Sequence, residues 1–248
     1  MKTRRFDSLE VRQYPDRASL GVAAARGVAA AIAARGEARA VFACAPSQDE
    51  FLAALIAQSV DWAKVTVFHM DEYAGLPEGH PASFRSYLRG HLLAHIAARA
   101  VHLIRAEADA AGETARYAAL LAERPLDLVC LGIGENGHLA FNDPPVADFA
   151  DPALVKLVAL DDACRRQQVH DGCFRALDDV PTHALTLTIP ALFCAREISC
   201  VVPGGRKAQA VRDALLGPIA PSCPASILRT HPRAVLHLDE AAASLLPA

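Results

Sequence analysis

The sequence predicts an α/β fold with helices packed around a mostly parallel sheet. Short apolar runs rich in β-branched residues alternate with longer stretches of helical periodicity, the pattern of successive βα units. The chain has 248 residues, is 52% hydrophobic and carries a formal net charge of only −3. That is enough apolar material for a core without staples, and too little charge for a disordered chain. No repeat, low-complexity linker or shift in composition divides it, so residues 1–248 are read as one domain.

The first helix is expected over residues 16–34, with Asp16 as its N-cap. Residues 40–43 read as a strand. Ser47 and Glu50 have the spacing of a capping box, which starts a helix at Ser47 and runs it to about Val60. A second buried strand covers 65–68, and Gly75, Pro77, Gly79 and Pro81 make 70–83 a loop. Ser83 is placed to cap a helix through Ala98. A strand at 101–104, a helix at 110–122 and a continuously apolar strand at 126–131 follow. The loop 132–145 is dense in Gly, Asn and Pro. Residues 146–152 show little periodicity, and 146–170 is a candidate lid. Further strands are expected at 157–160, 184–188, 198–202 and 234–238, with a helix after Gly205.

Several classes of function are excluded. Arg26 interrupts the Ala-rich segment 18–34, and no stretch reaches the roughly 18 uncharged apolar residues that span a bilayer. Lys2, Arg4 and Arg5 are followed by Asp7, Glu10 and Arg12 where a signal peptide needs an apolar run. Seven scattered cysteines without a CxxC pair suit reduced cytosolic thiols better than disulfides or zinc. The near-neutral charge offers nothing to a nucleic-acid backbone or an anionic membrane. A cytoplasmic protein with a small-molecule partner is the expectation.

In open parallel sheets, ligands bind beyond the carboxyl ends of the strands. Four polar loops lie at such ends and should converge on one crevice. In the loop 132–145, three glycines permit close approach to a ligand, and His138 has an acid, Asp143, five residues on. This is either a glycine-rich turn with a structural histidine or an acid/base site. In the loop after 65–68, Asp71 and Glu72 are adjacent carboxylates, costly to bury unpaired. One suits proton abstraction next to a carbonyl; the alternative is a turn cap beside a solvated acid. Ser47 at a helix start, and Gly204-Gly205-Arg206-Lys207 at another, suggest an anion.

Together these segments resemble the glucosamine-6-phosphate deaminase (isomerase) family from about residue 40 to 238. The motifs that carry the resemblance are Met70-Asp71-Glu72-Tyr73-x-Gly75-Leu76-Pro77 and Gly132-Ile133-Gly134-x-Asn136-Gly137-His138-x-Ala140-Phe141-Asn142. Val180-Pro181 with Ala184-Leu185-Thr186, Lys207-Ala208 and His231-Pro232 are supporting matches. The related 6-phosphogluconolactonases carry a second loop resembling DGHTASLFP, which this chain lacks. The resemblance implies a modified Rossmann-like three-layer α/β/α fold. It also implies a reaction, without cofactor or metal, that turns glucosamine 6-phosphate and water into fructose 6-phosphate and ammonia.

By the same resemblance, Asp71 moves a proton between C2 and C1, and His138 is the ring-opening acid/base. Asn136 and Asp143 orient His138. Ser47 and Lys207 hold the phosphate, Glu72, Gly134 and Gly137 belong to the substrate site, and Arg165 or Arg166 replaces a family arginine absent near Gly172. Asn136 stands where many members have Asp. Asp143 stands where they have Glu, a methylene shorter, which invites a bridging water to His138. Pro46, in a segment where the family has a Thr-Gly-Gly-Thr-type turn, donates no N–H. The implied partner is a phosphosugar rather than a nucleic acid or membrane, and a homo-oligomer is left open. The rival readings are a galactosamine-6-phosphate deaminase, a lactone hydrolase and a sugar-phosphate-binding regulator.

Overall fold

The structure, a computed structural model, describes residues 1–107 and 109–247. The chain begins with β1 (Lys2–Phe6), β2 (Leu9–Tyr14), α1 (Arg17–Ala33), β3 (Ala38–Phe42), α2 (Asp49–Ile56) and β4 (Val65–His69). It continues with β5 (Asp71–Tyr73), α3 (Phe84–His91), β6 (Ala100–His102), α4 (Ala110–Ala122) and β7 (Leu128–Leu131). The last elements are β8 (Val155–Ala159), α5 (Asp162–His170), β9 (His183–Leu187), α6 (Ile189–Phe193), β10 (Glu197–Val202), α7 (Ala208–Leu216) and β11 (Ala234–Asp239).

Eight strands form the central sheet in the order β1-β2-β11-β10-β7-β3-β4-β6. Only the β1–β2 hairpin is antiparallel; every other pairing is parallel. Helices cover both faces, and the period-2 alternation of the strands feeds two cores. Val41, Val129, Leu131, Cys200 and Leu236 face one core, closed by Tyr117 and Leu121 of α4 and Val211 of α7. Ala40, Phe42, Leu128, Cys130 and Val201 face the other, closed by Leu20 and Ala24 of α1 and Phe51 and Leu55 of α2. This is the three-layer α/β/α arrangement. A small antiparallel sheet, β5-β9-β8, sits beside it.

From β3 the chain builds outward through β4 and β6, then returns to place β7 on the other side of β3. The order reverses between those two strands, and the crevice beyond their carboxyl ends is the natural ligand site of such a sheet. Asp16 caps α1 as expected, its Oδ1 accepting from Ser19 N at 2.7 Å. Ser83 likewise caps α3. Among the described residues, no helix is long and apolar enough to cross a membrane, and the cysteines are free thiols.

Four expectations are corrected. The Ser47–Glu50 capping box does not form, because Glu50 pairs with Arg17 (Nε to Oε1, 2.7 Å) and Pro46–Gln48 makes a 3-10 turn before α2. The segment 70–83 is not all loop: Asp71–Tyr73 pairs with β9. The helix after Ser83 stops at His91 rather than Ala98, giving way to a 3-10 turn at Leu93–His95. The stretch 146–170 is more ordered than its sequence suggests, holding β8 and α5.

α1 and α2 cross at Gly21, where a Cβ would lie 2.7 Å from the Glu50 carbonyl carbon and 2.9 Å from Phe51 N. Backbone cannot yield there as a flexible side chain does. Gly21→Ala is therefore expected to destabilise the fold by about 1–3 kcal/mol, the usual cost of overpacking. Denaturant unfolding measures it, and an unchanged midpoint would contradict the contact.

Candidate active site

Loops leaving β3, β4, β7 and β10 meet in one crevice, lined by Cys44, Ser47, Gln48, Asp71, Gly134, His138, Gln168 and Lys207 among others. The convergence follows from the parallel sheet, which puts every carboxyl end on the same edge. Past Ser47 and Lys207 the crevice opens into a second hollow lined by Arg17, Pro46, Asp171 and the loop from Pro203 to Arg206.

Adjacent residues of a strand face opposite ways, and in β5 this separates the two carboxylates. Asp71 faces the crevice, and among the described residues no donor bonds its carboxylate. Burial, reinforced by Glu72 and Asp143, pushes its carboxyl well above the usual range. Glu72 turns inward and is fully buried. Its Oε2 accepts from Ser83 Oγ at 2.7 Å and Arg85 N at 3.0 Å, and its Oε1 from Phe84 N at 3.1 Å. The Arg85 guanidinium lies 3.3 Å away. Glu72 thus holds the N-terminus of α3, where the helix dipole favours a carboxylate.

Nδ1 of His138 lies 2.8 Å from Oδ1 of Asp143, which leaves Nε2 as the ring nitrogen free for chemistry. Asn136 donates to the same Asp143 oxygen at 2.9 Å and accepts from His138 N at 3.1 Å. Burial would raise Asp143, but the attraction and hydrogen bonds of His138, Asn136 and Cys164 outweigh it and hold the carboxyl below its ordinary value. The ring is seated on Gly134: a Cβ there would come within 2.3 Å of ring atoms Cε1 and Nε2. Two further contacts fix the loop. Phe141 N donates to Thr186 Oγ1 at 3.1 Å, and the buried Asn142 amide donates to Leu187 O at 2.8 Å.

At the other end, Lys207 is only 7% exposed and forms no ion pair among the described residues. Burial lowers its pKa, while Asp171 and Glu135 pull the other way. Gln48 donates to Ser47 Oγ at 3.1 Å and to Val201 O at 3.1 Å. Ser47 thereby accepts from the protein and keeps its own O–H for a ligand. Arg17 fastens the loop, donating to Pro46 O at 3.0 Å. A buried unpaired cation beside a free hydroxyl is a site for an anion.

His138, Asp143 and Cys164 bring ligand atoms within 4.8 Å of one another, the one such donor cluster among the described residues. The 2.8 Å between His138 and Asp143 is shorter than the roughly 3.3 Å that ~2.0 Å bonds impose on a tetrahedral zinc. The spacing is that of a close imidazole–carboxylate ion pair.

A family model described as glucosamine-6-phosphate isomerases/6-phosphogluconolactonase matches residues 17–236. The chain belongs to this family. Among its relatives, a protein named glucosamine-6-phosphate deaminase from Listeria welshimeri is 38% identical over 195 residues, covering 78% of this chain and 81% of the relative. One of the same name from Pseudarthrobacter chlorophenolicus is 37% identical over 201 residues, covering 79% and 76%. The solved structure of a monomeric glucosamine-6-phosphate deaminase matches with a TM-score of 0.89 at 30% identity, over 95% of this chain and 99% of that one. A 6-phosphogluconolactonase from Shewanella baltica matches at 0.73 and 21% identity, over 92% and 96%, which shows the shared fold alone.

Of the residues expected in this family's site, the structure brings Asp71, His138, Gly134, Ser47 and Lys207 together around the crevice, with Asp143 and Asn136 directly behind His138. Four assignments change. Glu72 is not a ligand of the crevice, because α3 and Arg85 engage both its oxygens. Gly137 lies outside it, closing a turn to Gly134 O at 3.0 Å and packing on Cys223. Arg166 is exposed beside Asp162, and Arg165 donates to Leu177 O, so neither replaces the missing arginine. Asp143 reaches His138 without a bridging water. Asn136 hydrogen-bonds both Asp143 and the His138 backbone N–H. Sequence reasoning missed Gln48, Arg17 and the glutamines of α5, which belong to no motif; Thr186 was singled out only as part of a supporting match, without a role.

Two outcomes follow. Gly134→Ala is expected to displace the His138 ring and lower turnover by about 10²-fold with the fold retained, as misplacement by an ångström typically does. Circular dichroism beside the assay checks both halves. Asp71, raised in the folded state, opposes stability as pH climbs through the ordinary carboxylate range toward its folded value, and not below about pH 3.9. Asp71→Asn should accordingly raise the Tm at about pH 8 and leave it unchanged at about pH 3.5. Equal shifts at both would contradict the burial argument.

Proposed function

We propose that this chain is a glucosamine-6-phosphate deaminase, converting glucosamine 6-phosphate and water to fructose 6-phosphate and ammonia. The observation that carries the reading is an unpaired, buried carboxylate, Asp71, sharing one crevice with a His138–Asp143 pair. Relatives of that name at 37–38% identity support it.

The two carboxylates are driven to opposite protonation behaviour, as acid and base roles require. Asp143 stays ionised and supports His138 as it gains and loses a proton. His138 removes the proton of the C1 hydroxyl and protonates the ring oxygen, opening the sugar to its aldehyde. Asp71, its pKa raised by burial, takes the C2 proton and returns it at C1 while one proton of the amino group passes to O1, so that the aldehyde becomes a hydroxyl and C2 an imine. The resulting C2 imine adds water and releases ammonia, leaving the ketone. Lys207 and the Ser47 hydroxyl receive the phosphate, the cation matched by an anion only when substrate is bound. The reading treats residues 1–248 as one catalytic domain. It places the reaction in the cytoplasm, where the free cysteines stay reduced.

The test is release of ammonia and fructose 6-phosphate from glucosamine 6-phosphate by the purified protein, with galactosamine 6-phosphate in parallel. Asp71→Asn is expected to lower kcat by about 10²–10⁴-fold, the usual contribution of a positioned proton-transfer group, while phosphosugar binding persists. Near-normal turnover by that variant would overturn the assignment of the base.

A further inference from the structure

α5 delivers two glutamines to the crevice, and the reaction scheme uses neither. Both are only 6% exposed. Gln167 is engaged at both ends of its amide: Oε1 accepts from Glu135 N at 2.7 Å, and Nε2 donates to Asp171 Oδ2 at 3.3 Å. Gln168 is different. Among the described residues no group hydrogen-bonds its side chain, although it lines the crevice with Asp71, His138 and Lys207. Its amide opens onto the crevice rather than into a dry core, so its donors and its acceptor are left for a group that enters there.

The helix that carries it is fixed in place before any ligand arrives. Asp161 caps α5 by accepting from Cys164 N at 2.8 Å. Gln167 ties the same helix to the backbone of Glu135, three residues before His138. Arg206, next to Lys207, reaches Asp171 at 2.7 Å and secures the far end. Gln168 is thus held on the wall of the crevice that Asp71, His138 and Lys207 also line.

We infer that Gln168 contacts the substrate and helps determine specificity, its amide hydrogen-bonding an oxygen of the bound hexose phosphate. The inference rests on the hexose-phosphate reading above. A neutral amide suits the place for two reasons. It donates and accepts, so it can bond a phosphate oxygen or a sugar hydroxyl. It also leaves the charge of the crevice unchanged, whereas a second cation so near Asp71 would hold that carboxyl low and weaken it as a base.

The test compares wild type with Gln168→Met, which keeps the volume and removes the amide, and Gln168→Asn, which keeps the amide and withdraws it by a methylene. The expected result is a KM for glucosamine 6-phosphate raised about 10- to 100-fold in Gln168→Met, with a smaller change in kcat and an unaltered Tm without ligand. A smaller rise in KM is expected for Gln168→Asn, which also serves if the Met variant does not fold. Inorganic phosphate as a competitive inhibitor locates the bond. Inhibition weakened about tenfold or more assigns it to the phosphate, and unchanged inhibition with a raised KM assigns it to a sugar oxygen. A KM unchanged in both variants overturns the inference.

The parent reading is tested separately by the Tm rise that glucosamine 6-phosphate and fructose 6-phosphate produce. Wild type that is stabilised but does not turn over, with stabilisation diminished in Gln168→Met, keeps the contact and refutes the reaction. Wild type that neither turns over nor is stabilised overturns both.

Discussion

The separation of the two reacting groups is set by one strand, β9. Thr186 is fully buried and lies directly opposite Asp71 in the β5–β9 ladder. Its hydroxyl also accepts from the Phe141 backbone, and the carbonyl of the next residue, Leu187, receives the Asn142 amide. The strand that carries the carboxylate and the loop that carries the histidine are thereby pinned to neighbouring residues of one segment. A slip of one residue in this register would turn Asp71 inward and Glu72 outward, exchanging their environments.

Adjacent acids with unlike tasks are a direct product of the pleat. Glu72 meets backbone N–H groups, a hydroxyl and a guanidinium, and anchors a helix. Asp71, one residue earlier, meets a cavity wall and two other carboxylates, and its proton is held more tightly. Asp143 is as deeply buried as Glu72, yet His138, Asn136 and Cys164 keep it ionised. Three carboxyl groups in one region therefore differ through their partners more than through their depth.

Much of this was legible in the sequence, for identifiable reasons. Polar loops after apolar strands located the crevice, because a parallel sheet aligns all its carboxyl ends. The helix at 110–122 and the Asp16 cap followed from periodicity and local hydrogen bonding. β5 was not legible: Asp71-Glu72-Tyr73 has no apolar run, and its partner β9 lies more than a hundred residues away in sequence. The N-terminal hairpin alternates Leu9 and Val11 with charged residues in a stretch too short to stand out. Motif reasoning gave Glu72 a ligand's role because it cannot see which way a side chain points. The same blindness favoured Arg166 over Gln168: both lie on α5, and only the rotation of that helix in the fold decides which one meets the crevice.

The crossing of α1 and α2 at Gly21 bears on how an anion is bound. With backbone pressed on backbone there, Arg17 at the start of α1 grips both Glu50 and the carbonyl of Pro46. The turn bearing Ser47 is immobilised by contacts that have nothing to do with a ligand. Ordering a mobile segment costs roughly 1–2 kcal/mol per residue in lost chain entropy. Here folding has already absorbed that loss, so the free energy of phosphate capture is not diminished by it. A loop of this kind has less need of the several N–H groups through which a glycine-rich turn wraps an anion. Pro46, which lacks that hydrogen, adds stiffness in a place where stiffness is what binding draws on.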